Sequence, residues 1–287
     1  MKSVAFQISV CYTTNELPLG AFIMAFSKYI EPFKVFNNIY FVGNKDVSVH
    51  VIDTGNGLIM IDTGYPYMYE IILDNMQQIG LDPHNLSILL LSHGHIDHIG
   101  CATKLKQLSG ARIAISREDN NIINGSLNLS WADELKVEHA EPFSGDILID
   151  NGDIIKLGNT SIRCISAPGH TAGTIALFFE TKNENSSFVC AMHGGVGTNS
   201  MESSFLKKYG LSLNCRDVFR DGLHYLANEH VDIVLGNHPD QNDTEGKLLK
   251  LRAGNENAFI NSSEWGNFLS SCEKRLDHMI SEESKNI

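Results

Sequence analysis

The chain has 287 residues, 43% of them apolar, which is enough to bury a real core and sets it apart from disordered chains. Its 22 Lys and Arg stand against 34 Asp and Glu, and the resulting formal charge of -12 argues against a sequence-independent grip on nucleic acid, which depends on cationic contacts with phosphates. The opening stretch MKSVAFQISVCYTTNELPLG makes a poor signal peptide, and the apolar patch GAFIMAF at 20–26 is far shorter than the roughly 20 residues needed to cross a bilayer. A soluble, cytoplasmic protein is expected, with a small-molecule substrate as partner, no nucleic acid and no membrane. A homo-oligomer stays open. The six cysteines form no C-x-x-C pair and read as buried thiols.

In chain order, 33–43, 47–53 and 57–64 read as strands separated by Asn/Gly turns. Residues 67–79 have helical spacing, and Gly80 makes a stop. The run NLSILLL is too apolar for a half-exposed strand, so it is expected to be buried on both faces. A helix is expected at 98–108, a short strand at 112–116, and a helix with a long polar loop over 120–141. A second strand series follows: DILID, DIIKLG, TSIRCISAPG, GTIALFFE and SSFVCAM. Then come a helix at about 214–228, the strand VDIVLG and further helices. Strands followed by helices, twice over, suggest an α/β fold of two similar halves whose sheets pack together with helices outside. No linker divides the halves, so one domain over 1–287 is expected, with 1–32 as an extension. The apolar patch in that extension reads as core, with a lid or a dimer contact as alternatives.

The chemistry gathers after the most apolar run, in SHGHIDH. His93, His95, Asp97 and His98 are four polar side chains at the mouth of a buried strand, where burial without partners would be costly. A metal ion is the natural partner. Ligand sites in α/β sheets gather at such strand ends. His93 and His95 are two apart and point the same way in an extended loop, while Asp97 and His98 can face a second point a few ångströms away. His170, in SAPGHTAGT, follows another strand, and Pro168 with Gly169 fixes a tight turn there. His238, in IVLGNHPDQ, follows a third. Recurrence after three strands is the main argument for a shared site.

These motifs resemble the metallo-β-lactamase superfamily, whose signature H-x-H-x-D-H stands intact as His93, His95, Asp97 and His98, with IDTG ahead of it, PGHTAGT after it and a late His238. The resemblance covers nearly the whole chain. It implies a four-layer αββα sandwich with a dinuclear centre, usually zinc: two metals per chain, one on His93, His95 and His170, the other on Asp97, His98 and His238. Asp62 of IDTG is no ligand in that scheme and more plausibly braces the ligand loop by hydrogen bonds. Many relatives carry a bridging aspartate after the strand that here reads FVCAMHGGVGTN, where this chain has Met192 and His193. In this respect it is similar to the third subclass of metallo-β-lactamases, which lacks the bridging residue. His193 therefore has two readings, a cleft-lining group that contacts metal or substrate, or a histidine capping the HGGVG turn; the first is preferred. His50, His84, His139, His224, His230 and His278 read as packing or surface residues.

Zinc on neutral imidazoles and a carboxylate lowers the pKa of its water from about 16 towards roughly 7, so hydroxide is available at neutral pH to attack a carbonyl or phosphoryl centre. Asp97 is placed to orient that nucleophile and relay its proton. Nitrogen and oxygen ligands without cysteine suit zinc, with iron or manganese compatible. The resemblance points to a metal-dependent hydrolase of β-lactams or related cyclic amides. Two features pull towards a lactone, ester or thioester instead. No export signal is visible, and the serines that engage the β-lactam carboxylate in the third subclass are replaced around His193 to Gly197. A non-hydrolytic metal or redox module is the reading from a different class, disfavoured because neither a flavin domain nor acidic replacements of the histidines are visible.

Overall fold

The computed structural model describes residues 28–184 and 186–285. Cys11, the apolar patch at 20–26 and most of the expected extension lie outside them. Residues 28–32 belong to the body of the protein: Ile30 is buried in the core, and Lys28 pairs with Asp46 at 2.7 Å.

Strands β1 (Phe33–Phe36), β2 (Ile39–Phe41), β3 (His50–Asp53), β4 (Leu58–Ile61), β5 (Leu86–Leu90), β6 (Arg112–Ser116) and β7 (Ile147–Ile149) form a seven-stranded sheet in chain order. Pairing is antiparallel from β1 to β4 and parallel from β4 to β7. Strands β8 (Ile154–Leu157), β9 (Thr160–Ser166), β10 (Ile175–Lys182), β11 (Ser187–His193) and β12 (Ile233–Val234) form a second sheet in the order β12-β11-β10-β9-β8, with β12 parallel to β11 and the others antiparallel.

The period of two along each strand sorts side chains between layers. On β5 and the residue after it, Ile88 and Leu90 enter the core between the sheets, while Leu89 and Leu91 face the helices that cover the first sheet; Leu86 joins the latter because the register with β4 shifts between Leu86 and Ile88. On β10, Ile175, Leu177 and Phe179 point into the same central core, and Ala176 and Phe178 point out towards the helices Cys215–Leu226 and Glu264–Lys285. Helix, sheet, sheet, helix is the resulting order, the four-layer α/β sandwich expected from the sequence. Each buried Leu, Ile or Phe contributes about 1.5–3 kcal/mol.

Four readings are corrected. The stretch 33–43 is two strands, because Asn37 takes a left-handed conformation (φ 40°) and turns the chain into a hairpin. DILID joins the first sheet, running parallel to β6 with Ala114 opposite Ile147, so the sheets are unequal halves of seven and five strands. The expected helix at 98–108 begins earlier and is interrupted, as Ile96–Ile99 and Ala102–Ser109. At the break, Gly100 sits where a Cβ would lie 2.4 Å from the Pro66 ring. VDIVLG contributes two paired residues, Ile233 and Val234. Of the six cysteines, the five in the described region are free thiols, with Cys215 alone half-buried.

Candidate metal centre

The loops after β5, β9 and β11 and the stretch after β12 meet at one end of the sandwich. They bring six side chains into two adjoining groups. His93, His95 and His170 form one, and Asp97, His98 and His238 the other; within each group the ligand atoms all lie within 4.8 Å of one another. The His93 and His98 rings, 4.2 Å apart between centroids, connect the groups. In the second group, Asp97 Oδ2 lies 3.3 Å from His98 Nε2 and 3.6 Å from His238 Nε2.

For four of the five rings, polar neighbours fix which nitrogen is offered. His98 Nδ1–H donates to Asp62 Oδ2 at 2.8 Å, His170 Nδ1–H to the Gly197 carbonyl at 2.8 Å, and His238 Nδ1–H to the Asp46 carbonyl at 2.6 Å. His93 Nδ1 lies 3.1 Å from Ser92 Oγ, and its Nε2 is buried with no hydrogen-bond partner. Each of these contacts leaves Nε2 with its lone pair aimed into the site, which is how metal-binding imidazoles are held. An orphaned, buried His93 Nε2 is what a metal would satisfy. The donor set, five imidazoles and a carboxylate, suits zinc or a similar divalent ion.

The electrostatics agree. Burial, reinforced by neighbouring imidazoles, holds His93 and His95 well below the usual histidine range, and burial lowers His170 to about 4, so these three rings are neutral at pH 7, the form a metal requires. Burial opposes ionisation of Asp97, but the adjacent His98, His238 and His95 outweigh it and keep the carboxylate charged. Burial likewise opposes charge on His98, yet Asp97 and Asp62 flank the ring and push it up to about 10. A cation is thus strongly favoured between these two carboxylates. A metal at the second group would take the place of that proton.

Asp62 braces the loop as the sequence suggested. Buried and left-handed at φ 58°, it accepts from Ser92 N at 2.7 Å, Ser92 Oγ at 2.8 Å and His98 Nδ1. His193 lies outside both groups. It is buried, its Nδ1 accepts the Gly195 N–H at 3.3 Å, its ring meets the edge of Phe219, and it belongs to neither ligand group nor the cleft wall. Burial lowers it to about 3, so it is a neutral packing group. The glycines after it leave room for His170 instead: a Cβ on Gly195 would lie 2.4 Å from His170 Cδ2. Among the remaining histidines, His50 is buried and donates to the Gly236 carbonyl, and His84, His139, His224 and His230 are exposed beside carboxylates.

Above the two groups lies a cleft of about 570 Å³, walled by Tyr65, Trp131, Lys45, Asn199 and Gln241, with His95, Asp97, His170 and His238 at its floor. The sequence reading passed over Tyr65, Trp131 and Asp119. Burial and the nearby Asp97 keep the phenol of Tyr65, a residue of the cleft wall, protonated. Trp131 takes a left-handed backbone (φ 67°) and stacks on Phe205, with ring centroids 5.1 Å apart. Asp119 is fully buried beside the ligand loops. It follows β6 as the histidines follow their strands, and that shared placement was the available signal.

Residues 42–183 match the family described as the Metallo-beta-lactamase superfamily, and the chain carries a domain of that superfamily. The match includes the first five ligand candidates and stops before His238. Solved structures of subclass B3 metallo-β-lactamases share the fold. BJP-1 of Bradyrhizobium japonicum superposes with a TM-score of 0.82 at 23% identity, covering 91% of this chain and 99% of that one. FEZ-1 of Legionella gormanii gives 0.82 at 22%, covering 90% and 98%. By sequence, the chain is 31% identical over 129 residues to the hydroxyacylglutathione hydrolase GloC of Haemophilus influenzae, 45% of this chain and 59% of that protein. It is 28% identical over 148 residues to the uncharacterized YobT of Bacillus subtilis, 48% and 58%. The chain spans little more than half the length of these two relatives. Among the described residues, no helix is long and apolar enough to cross a membrane.

Proposed function

We propose that the protein is a dinuclear metal-dependent hydrolase that adds water to the carbonyl of a small-molecule substrate held in the cleft. The observation that carries this reading is the pair of adjoining ligand groups, neutral imidazoles on one side and a charged Asp97 on the other, at the floor of an open cleft. Two zinc ions held there would supply a water of lowered pKa and polarise the substrate oxygen. The chain's own residues do the rest. Asp97 is ionised at the cleft floor and placed to accept the proton of the incoming water. The protonated Tyr65 offers a hydrogen bond to oxygen on the substrate, and Trp131 offers an apolar wall.

A cyclic amide of the β-lactam kind is the first substrate class, supported by the shared fold of the B3 enzymes. A thioester is the second. It is favoured by Gly195 and Gly197, which pack against His170 and offer no hydroxyl where serines would anchor a β-lactam carboxylate, and by relatives named hydroxyacylglutathione hydrolase. The five described cysteines are free thiols, which supports a reducing compartment such as the cytoplasm.

Elemental analysis after zinc loading, with turnover of a chromogenic cephalosporin, a thioester, a lactone and a phosphodiester, tests the proposal. Two zinc ions per chain and hydrolysis of one acyl substrate are expected. A plateau at one zinc, or cleavage of the phosphodiester alone, would overturn it.

A further inference from the structure

Two acidic residues are buried against the ligand loops without belonging to either ligand group. Asp62 serves the second group. Asp119, wholly buried, forms no ion pair among the described residues, and the hydrogen bonds its carboxylate accepts all come from the first group's loops. Its Oδ2 accepts the Gly94 N–H at 2.8 Å and the Thr171 hydroxyl at 2.7 Å, and its Oδ1 accepts the Gly173 N–H at 2.8 Å. Gly94 lies between His93 and His95, and Thr171 directly follows His170. One carboxylate therefore joins the loop after β5 to the loop after β9, elements of different sheets that share no strand pairing.

The surroundings are built to this purpose. A Cβ at Gly173 would lie 2.6 Å from Asp119 Oδ1, so that N–H approaches the carboxylate only because glycine stands there, and one at Gly94 would press on the Ile122 side chain at 3.0 Å. Thr171 is oriented in turn by Thr174, whose Oγ1 is 2.8 Å from its hydroxyl. A buried charge whose hydrogen bonds all come from two loops holds those loops at a fixed separation, since moving either one leaves it underpaired.

We propose that Asp119 is a positioning residue that sets the distance between His170 and the His93–His95 pair, and so tunes metal affinity at the first group. The proposal rests on the dinuclear reading above. Partners of this kind, one step removed from the ligands, are worth about 10- to 100-fold in metal affinity.

Full-length Asp119→Asn, Thr171→Val and Thr171→Ser are prepared metal-free and titrated with cobalt(II) against a chromophoric chelator. The visible cobalt bands and the thermal midpoint of the metal-free protein are recorded alongside. In Asp119→Asn an amide NH2 must face an N–H or hydroxyl donor. One of the two cobalt sites should weaken tenfold or more, with altered band intensity. Thr171→Val should shift the same site in the same direction, and Thr171→Ser should restore it. A lowered thermal midpoint with both affinities and the spectrum unchanged would make Asp119 a structural brace only and overturn the proposal. If Asp119→Asn does not fold, wild-type affinity in Thr171→Val overturns it equally. Wild-type protein that takes up no cobalt(II) removes the dinuclear reading as well, which separates the two failures.

Discussion

Replacing Asp62 tests how far the second ligand group depends on a single carboxylate. Its Oδ1 holds the Ser92 N–H, and its Oδ2 holds the Ser92 hydroxyl and His98 Nδ1–H. In Asp62→Ala the hydroxyl still has the Gly194 carbonyl at 3.0 Å, but two buried donors lose their acceptor. At roughly 1–3 kcal/mol for each orphaned group, the metal-free protein should lose about 2–6 kcal/mol. The left-handed φ of 58° suits alanine less than aspartate and adds to the loss. Asp62→Asn is the sharper perturbation, because size and backbone preference are kept. If the amide nitrogen takes the Oδ1 place, it opposes the Ser92 N–H. If it takes the Oδ2 place, it faces His98 Nδ1 and drives the ring proton onto Nε2, the atom that faces Asp97. Either way, metal affinity at the second group should fall about 10- to 100-fold. Urea denaturation of the metal-free proteins and cobalt(II) competition titrations measure the two effects. An Asp62→Asn protein with wild-type affinity at both sites would refute the tautomer argument.

Gly195→Ala places a methyl 2.4 Å from His170 Cδ2, and the ring, tied to the Gly197 carbonyl, has to give way; elemental analysis should show loss of one metal per chain, and full retention of two would contradict the packing argument. His193→Ala removes a buried ring beside Phe219, so unfolding should cost roughly 2–5 kcal/mol less while the folded enzyme keeps its kcat/KM within a few-fold. A tenfold fall in kcat/KM without loss of stability would return His193 to the cleft. Burial depresses His50 to about 4 and His193 to about 3, from a usual 6.5. Below about pH 6.5 the unfolded chain takes up protons that the folded chain refuses, so this stability is present above that pH and is lost as it falls towards 4. Denaturation midpoints of metal-free protein that stay level across that range would count against it.

The ligand candidates were legible in the sequence because metal chemistry allows few side chains and because strand ends are easily read. NLSILLL followed by SHGHIDH announces a buried strand opening onto polar groups, and PGH and GNH repeat the pattern. The layer order followed from the order of elements, strands followed by helices twice over, while the sorting of Ile88 and Leu90 from Leu89 and Leu91 came with the structure. For His193 the sequence offered only adjacency along the chain, which left its cleft-lining and turn-capping readings both open. Its strand ends at the site, but the glycines after it let His170 occupy the space in front, and only packing could decide that. The same holds for DILID, whose partner β6 lies some thirty residues earlier, and for Asp119, whose partners Gly94 and Gly173 are 25 and 54 residues away. Composition and local pattern thus determined which residues could bind metal and which faces are buried. Long-range contacts decided which loops meet and which carboxylate ties them together, because a hydrogen bond between distant segments leaves no periodic trace in the chain that makes it.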